Sequence, residues 1–136
     1  MPTIPAVING VHIEFAQNAV NDVDQRVIAA LYIIIRHDIA PGHTLHRIYI
    51  SSAYDSHIMP SRHMQQKAID ISRFNGCHIL SGYNSIPSVR AFVDNIQSKF
   101  EECPFRRENF GPSFTRKHGQ HWSAGGHHDH IHLSVD

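Results

Sequence analysis

Ala68-Ile69-Asp70-Ile71-Ser72 is the stretch whose reading decides the fold. It is short and rich in β-branched residues, and Asn75-Gly76 supplies a turn just beyond it, so it reads as a strand. A carboxylate between two isoleucines conflicts with that apolar setting, because burying an unpaired Asp70 is costly. The strand therefore needs either backbone donors or a metal ion at Asp70. Working outward, His46-Arg47-Ile48-Tyr49-Ile50-Ser51-Ser52-Ala53 is a second strand and His130–Asp136 a closing one. A helix opens at Asn21-Asp22-Val23-Asp24, with acids in its first turn and Val20, Val23, Val27, Leu31 and Ile34 spaced three or four apart. It is expected to end near His37–Pro41. A second helix starts near Ser85 or Ser88, carries Val89, Phe92, Val93, Ile96 and Phe100 on one face, and stops at Pro104. Pro104–Gly126 shows no sustained period and reads as a long loop holding at most a short strand or turn. Together these predict an α+β fold, a small antiparallel sheet with helices packed on one side.

Composition narrows the function. The chain has 136 residues, 41% of them hydrophobic, with 12 basic against 12 acidic residues, two cysteines and 13 histidines. That suits one domain over residues 1–136 and excludes disorder as the main state. Balanced charge argues against a nucleic-acid partner, which calls for a basic surface. The longest apolar stretch, Val27–Ile35, is flanked by Asp24, Arg26, Arg36 and His37 and falls short of the ~20 residues that span a bilayer. The first twenty residues lack a basic region, an apolar core and a cleavage site, so no secretory signal is expected. Cys77 and Cys103 are too few to define a disulfide framework and read as ordinary thiols whose pairing is left open. Histidine is the outlier: it outnumbers Lys and Arg combined, and six of the 13 lie between His118 and His132. Imidazole is the commonest metal ligand, so metal or acid–base chemistry is indicated.

Potential ligands concentrate in Ser61-Arg62-His63-Met64-Gln65-Gln66-Lys67-Ala68-Ile69-Asp70 and His127-His128-Asp129-His130-Ile131-His132. A catalytic zinc takes three protein ligands, and His63, Asp70 and one histidine of the second segment meet that need. His130 and His132 share a strand face. Asp129 would point away in a regular strand, so a role beside them requires it to lie in a loop, which Gly125-Gly126 makes available. His127 and His128 read as loop histidines. His118, His121 and Trp122 either line a groove or anchor the loop by packing.

The pattern Ser61-x-His63, Ala68-x-Asp70, and Asp129-x-x-His132 resembles the signature of the zinc D-Ala-D-Ala carboxypeptidase and L-alanyl-D-glutamate endopeptidase family, which shares its fold with hedgehog signalling domains. The resemblance covers roughly residues 51–70 and 125–136. It implies one Zn2+ per chain held by His63, Asp70 and His132, with Asp129 as general base and His130 lining the site to orient water or stabilise an oxyanion. It implies hydrolysis of an amide bond in a peptidoglycan stem peptide, by a monomer, with Ser61, Arg62 and Trp122 as substrate contacts. Arg106, Arg107, Arg116 and Lys117 would either attract that anionic peptide or form a solvated charged loop. The setting implied is an enzyme cytoplasmic until released, or associated with a phage or secretion system.

The sequence departs from the family's pattern in three places. Met64-Gln65-Gln66-Lys67 offers no glycine where the family has one, and glycine there permits an unusual backbone. Asp55 stands where many members have an arginine for the substrate, with Arg62 as a spatial substitute. The base is Asp129 and not glutamate. Two other readings follow: a hedgehog-like zinc module without hydrolysis, and a histidine-rich metal-binding protein using His118–His132 as a multi-site buffer.

Overall fold

The computed structural model describes residues 2–17, 19, 21–53 and 66–136. These form β1 (Val7–Ile8), β2 (Val11–Phe15), α1 (Gln25–Ile34), β3 (Arg47–Ser52), β4 (Ala68–Phe74), β5 (Cys77–His78), α2 (Ile79–Gly82), α3 (Pro87–Phe100), β6 (Arg106–Phe110), β7 (Thr115–Lys117), β8 (Gln120–His121) and β9 (Ile131–Val135). The architecture is mixed α/β, a nine-stranded open sheet ordered β1-β2-β3-β4-β9-β6-β7-β8 with β5 paired to β4. This corrects the expected small antiparallel sheet in two ways: it is larger, and β2 runs parallel to β3. A parallel pair needs a long crossover, which α1 and the segment after it provide.

Both long helices follow the apolar spacing read from the sequence. Asp24 caps α1, its carboxylate accepting from Arg26 N at 2.9 Å, and Val27, Ala30, Leu31 and Ile34 are buried. The helix ends short of His37–Pro41 because Ile35 turns extended to bury its side chain in the core. Pro87 opens α3, where a missing N–H costs nothing, and Val89, Phe92, Val93, Ile96 and Phe100 face inward. Both helices lie on the face of the sheet that carries Ile69, Leu133 and Val135. Among the described residues no helix is long and apolar enough to cross a membrane.

The segment expected to be a long loop holds three strands, β6, β7 and β8, in the second correction. Apolar alternation is missing there because buried polar pairs replace it. Asn109 accepts from Gln97 Nε2 at 3.0 Å and donates to Gln97 O at 2.8 Å and Glu101 Oε2 at 2.9 Å, tying β6 to α3 through polar contacts.

Irregular pairing then decides which side chains face away from the helices. Between Ile50↔Ile71 and Ser52↔Asp70, β3 carries an extra residue, Ser51; between Tyr49↔Arg73 and Ile50↔Ile71 the extra residue is Ser72 of β4. Between Arg106↔Val135 and Glu108↔Ser134, β6 carries Arg107 as the extra residue. Such a bulge moves the following side chains to the other face of a strand. Arg106 accordingly reaches back to Glu101 at the end of α3, at 3.4 Å, whereas Glu108 faces the opposite way.

Candidate metal centre

The side of the sheet opposite α1 and α3 carries a row built by register. Ser52 pairs with Asp70, Asp70 with His132, and His132 with Phe110, so four adjacent strands deliver one residue each. Flanking aliphatic residues, Ile69 and Ile71 on β4 and Ile131 and Leu133 on β9, point to the core and fix which way Asp70 and His132 face.

His132 is the hub. It donates from Nδ1 to Asp70 Oδ1 at 3.0 Å and from Nε2 to Glu108 Oε1 at 3.0 Å. The side chains of His132, Asp70 and Glu108 are only 13, 14 and 19% exposed. Burial alone would lower the His132 pKa, but the bonds to Asp70 and Glu108 outweigh it and raise it from 6.5 to about 9. Burial likewise acts to raise Glu108, and the hydrogen bonds from His132 and Ser134 overcome it, lowering Glu108 from 4.5 to about 2. Ser134, fully buried, donates to Glu108 Oε1 at 2.8 Å and accepts from Glu108 N at 3.0 Å.

The loop before β9 folds over this row. His130 Nε2 lies 3.9 Å from Asp70 Oδ1, while its Nδ1 donates to Asp129 Oδ1 at 2.7 Å. Asp129 therefore sits in the loop, as a role at the site requires, but on the far side of the His130 ring from Asp70. Its hydrogen bond to His130 holds the Asp129 carboxyl below the usual carboxylate range. His127, read as a loop histidine, packs its ring 5.0 Å from His130 and 5.1 Å from Phe110, and burial holds its pKa below the ordinary histidine value. Phe110 stacks on His132 at 5.7 Å.

Asp70 and His132 thus come together, with His130 and Asp129 beside them. Ser61, Arg62 and His63, as well as Asp55, lie outside the described residues. Trp122 is half-exposed, with Lys117 Nζ 4.4 Å from its ring centroid. Its backbone N–H donates to Thr115 O, Thr115 pairs with Phe110 and Phe110 with His132, which puts Trp122 three strand spacings, roughly 14 Å, from His132 along the sheet. Among the described residues no three His, Cys, Asp or Glu side chains form a complete metal-holding group. The pair that is described suits zinc in chemistry and spacing. Its nitrogen and oxygen donors are 3.0 Å apart, close to the ~3.3 Å edge of a tetrahedron of ligands about 2.0 Å from the ion.

Glu108 is the site residue that sequence reasoning missed. It lies in a segment without period, and its only signal is a carboxylate flanked by Arg107 and Asn109, which does not distinguish it from a solvated loop. Gln66 supplies a different finding. It lies within Met64–Lys67, the stretch that lacks the family's glycine, and it has φ +60, the left-handed region that glycine favours. Its carbonyl accepts from Asp24 N at 2.8 Å and its Nε2 donates to Asp22 O at 3.1 Å, which holds this backbone in place. The chain matches no protein-family profile, no curated protein and no solved structure.

Proposed function

We propose that the protein is a zinc metallopeptidase of the hedgehog/DD-peptidase-like fold that hydrolyses an amide bond beside a D-amino acid in peptidoglycan stem peptides, acting on the cell wall after release. The observation that carries this reading is the adjacent, part-buried Asp70–His132 pair, with 3.0 Å between donor atoms. The left-handed Gln66, in the stretch where the resembling family has glycine, supports it.

Asp70 and His132, with His63, would hold one zinc ion. Zinc held there would supply Lewis-acid chemistry, lowering the pKa of a bound water to about 7 and polarising the scissile carbonyl. The chain's own groups then handle the proton. Asp129 fixes the His130 ring through Nδ1, which leaves Nε2 directed at the centre, 3.9 Å from Asp70. His130 Nε2 would take the proton from the attacking water and return it to the leaving amine nitrogen, the base role that the family resemblance gives to Asp129, and Asp129 would stabilise the imidazolium. Phe110 and His127 exclude solvent from one side of His132. Trp122 and Lys117 offer an aromatic and a cationic contact for an extended peptide with a carboxylate.

A zinc module without hydrolysis is the second reading. The position of Asp129 favours it, since the carboxylate is engaged by His130 and half-exposed. Mass spectrometry of a peptidoglycan digest treated with protein carrying one equivalent of zinc separates the two. Cleavage that falls at least about a hundredfold in Asp129→Ala and His130→Ala supports the peptidase. Bound zinc with an intact digest supports the module.

A further inference from the structure

We propose that Glu108 and Ser134 form a positioning clamp that commits Nε2 of His132 to the protein and presents Nδ1, on the Asp70 side, as the donor to zinc. The inference rests on the metal centre proposed above and assigns to it two residues from β6 and β9.

The geometry has three parts. Nε2 of His132 donates to Glu108 Oε1 at 3.0 Å, on the side of the ring away from Asp70. The same Oε1 accepts from Ser134 Oγ at 2.8 Å, and Ser134 Oγ accepts from the backbone N–H of Glu108 at 3.0 Å. The carboxylate is thereby tied through one hydroxyl to its own main chain. The Arg107 bulge brings Glu108 to this face, and Phe110, paired with His132, stacks on the ring at 5.7 Å and limits its tilt. An imidazole held this way at Nε2 can offer zinc only Nδ1, the atom bonded to Asp70. Partners of this kind, behind a metal-bound histidine, set its tautomer and orientation, and their loss typically weakens metal affinity 10–100-fold.

The test compares zinc affinity, by competition with a chelating dye, in the full chain and in Asp70→Ala, Glu108→Ala, Glu108→Gln and Ser134→Ala. Proton–nitrogen correlation spectra of the histidine rings in the zinc-loaded proteins report which nitrogen of His132 keeps its hydrogen. The expected result is loss of zinc in Asp70→Ala and affinity about 10–100-fold weaker in Glu108→Ala. Glu108→Gln, which keeps an acceptor oxygen, should stay within about threefold of wild type, Ser134→Ala should fall between, and wild type should show a protonated Nε2. Unchanged zinc binding in Asp70→Ala overturns the metal centre itself. Zinc lost in Asp70→Ala but held within twofold in Glu108→Ala, or a wild-type His132 protonated at Nδ1, overturns the clamp and leaves the centre standing. Glu108→Gln as weak as Glu108→Ala also overturns it, since an acceptor would then not suffice.

Discussion

At the scale of single residues, His132 concentrates the electrostatics of the molecule. Its folded pKa is about 9 against an ordinary 6.5, so in zinc-free protein its contribution to stability is complete below pH 6.5 and is lost as pH rises through 9. Glu108 runs the other way, from 4.5 down to about 2, so its contribution is complete above pH 4.5 and is lost as pH falls through 2. Thermal unfolding of the zinc-free chain should therefore show this pair's support fully present between pH 4.5 and 6.5, declining on both sides. Glu108→Gln should flatten the acid limb, and His132→Asn both limbs; an acid limb unchanged in Glu108→Gln would place the titrating group elsewhere. Asp70 and His132 were legible in the sequence because a carboxylate inside an apolar strand and a histidine on an alternating one each break a local rule. Glu108 breaks none, since a charged residue among charged neighbours is what any exposed loop contains.

At the scale of elements, β6 and α3 are joined by amides where most elements are joined by hydrocarbon. Gln97 and Asn109 are both buried and bond each other, and a Cβ at Gly111 would clash with Gln97 Oε1, so the glycine is there for close approach. Asn109→Ala should cost about 1–3 kcal/mol in urea unfolding, because it removes the amide donor to Gln97 O and Glu101 Oε2 and one of the two acceptors of Gln97 Nε2, which keeps Phe114 O. Gly111→Ala should destabilise by a similar amount through overpacking, with the fold retained. The same amides explain why this part of the fold was opaque. Apolar spacing marked α1, α3, β3, β4 and β9, all of which bury hydrocarbon on at least one face. It could not mark β6, whose inward residues are polar. The β1–β2 hairpin had a readable signal, Asn9-Gly10 with φ 49 and 81, of the kind that joins strands in a two-residue turn. The strands it joins, of two and five residues, are too short to show as periodic.

At the scale of the whole molecule, the last strand in the sequence lies in the interior of the sheet. β9 is inserted between β4 and β6, contributes Ile131, Leu133 and Val135 to the core, and carries His132 and Ser134 on its other face. Removing Ile131–Asp136 should thus abolish cooperative unfolding altogether, read by heat-capacity calorimetry, and not merely silence the site. A truncated chain that still melts in one sharp transition would show that β9 is dispensable to the fold. Such long-range pairing also delays completion of the sheet until β9 is in place. The three bulges give the molecule a further property, which is best described as parity. A strand reads its residues alternately to two faces, so one added residue swaps odd for even and two restore the original reading. Ser51, Ser72 and Arg107 each change parity once, and Glu108 reaches His132 only because of the change at Arg107. Length changes in these strands are therefore not graded: losing one residue would send a carboxylate into the hydrocarbon layer and an isoleucine to the metal side, whereas a compensating pair of changes would leave the centre legible and intact.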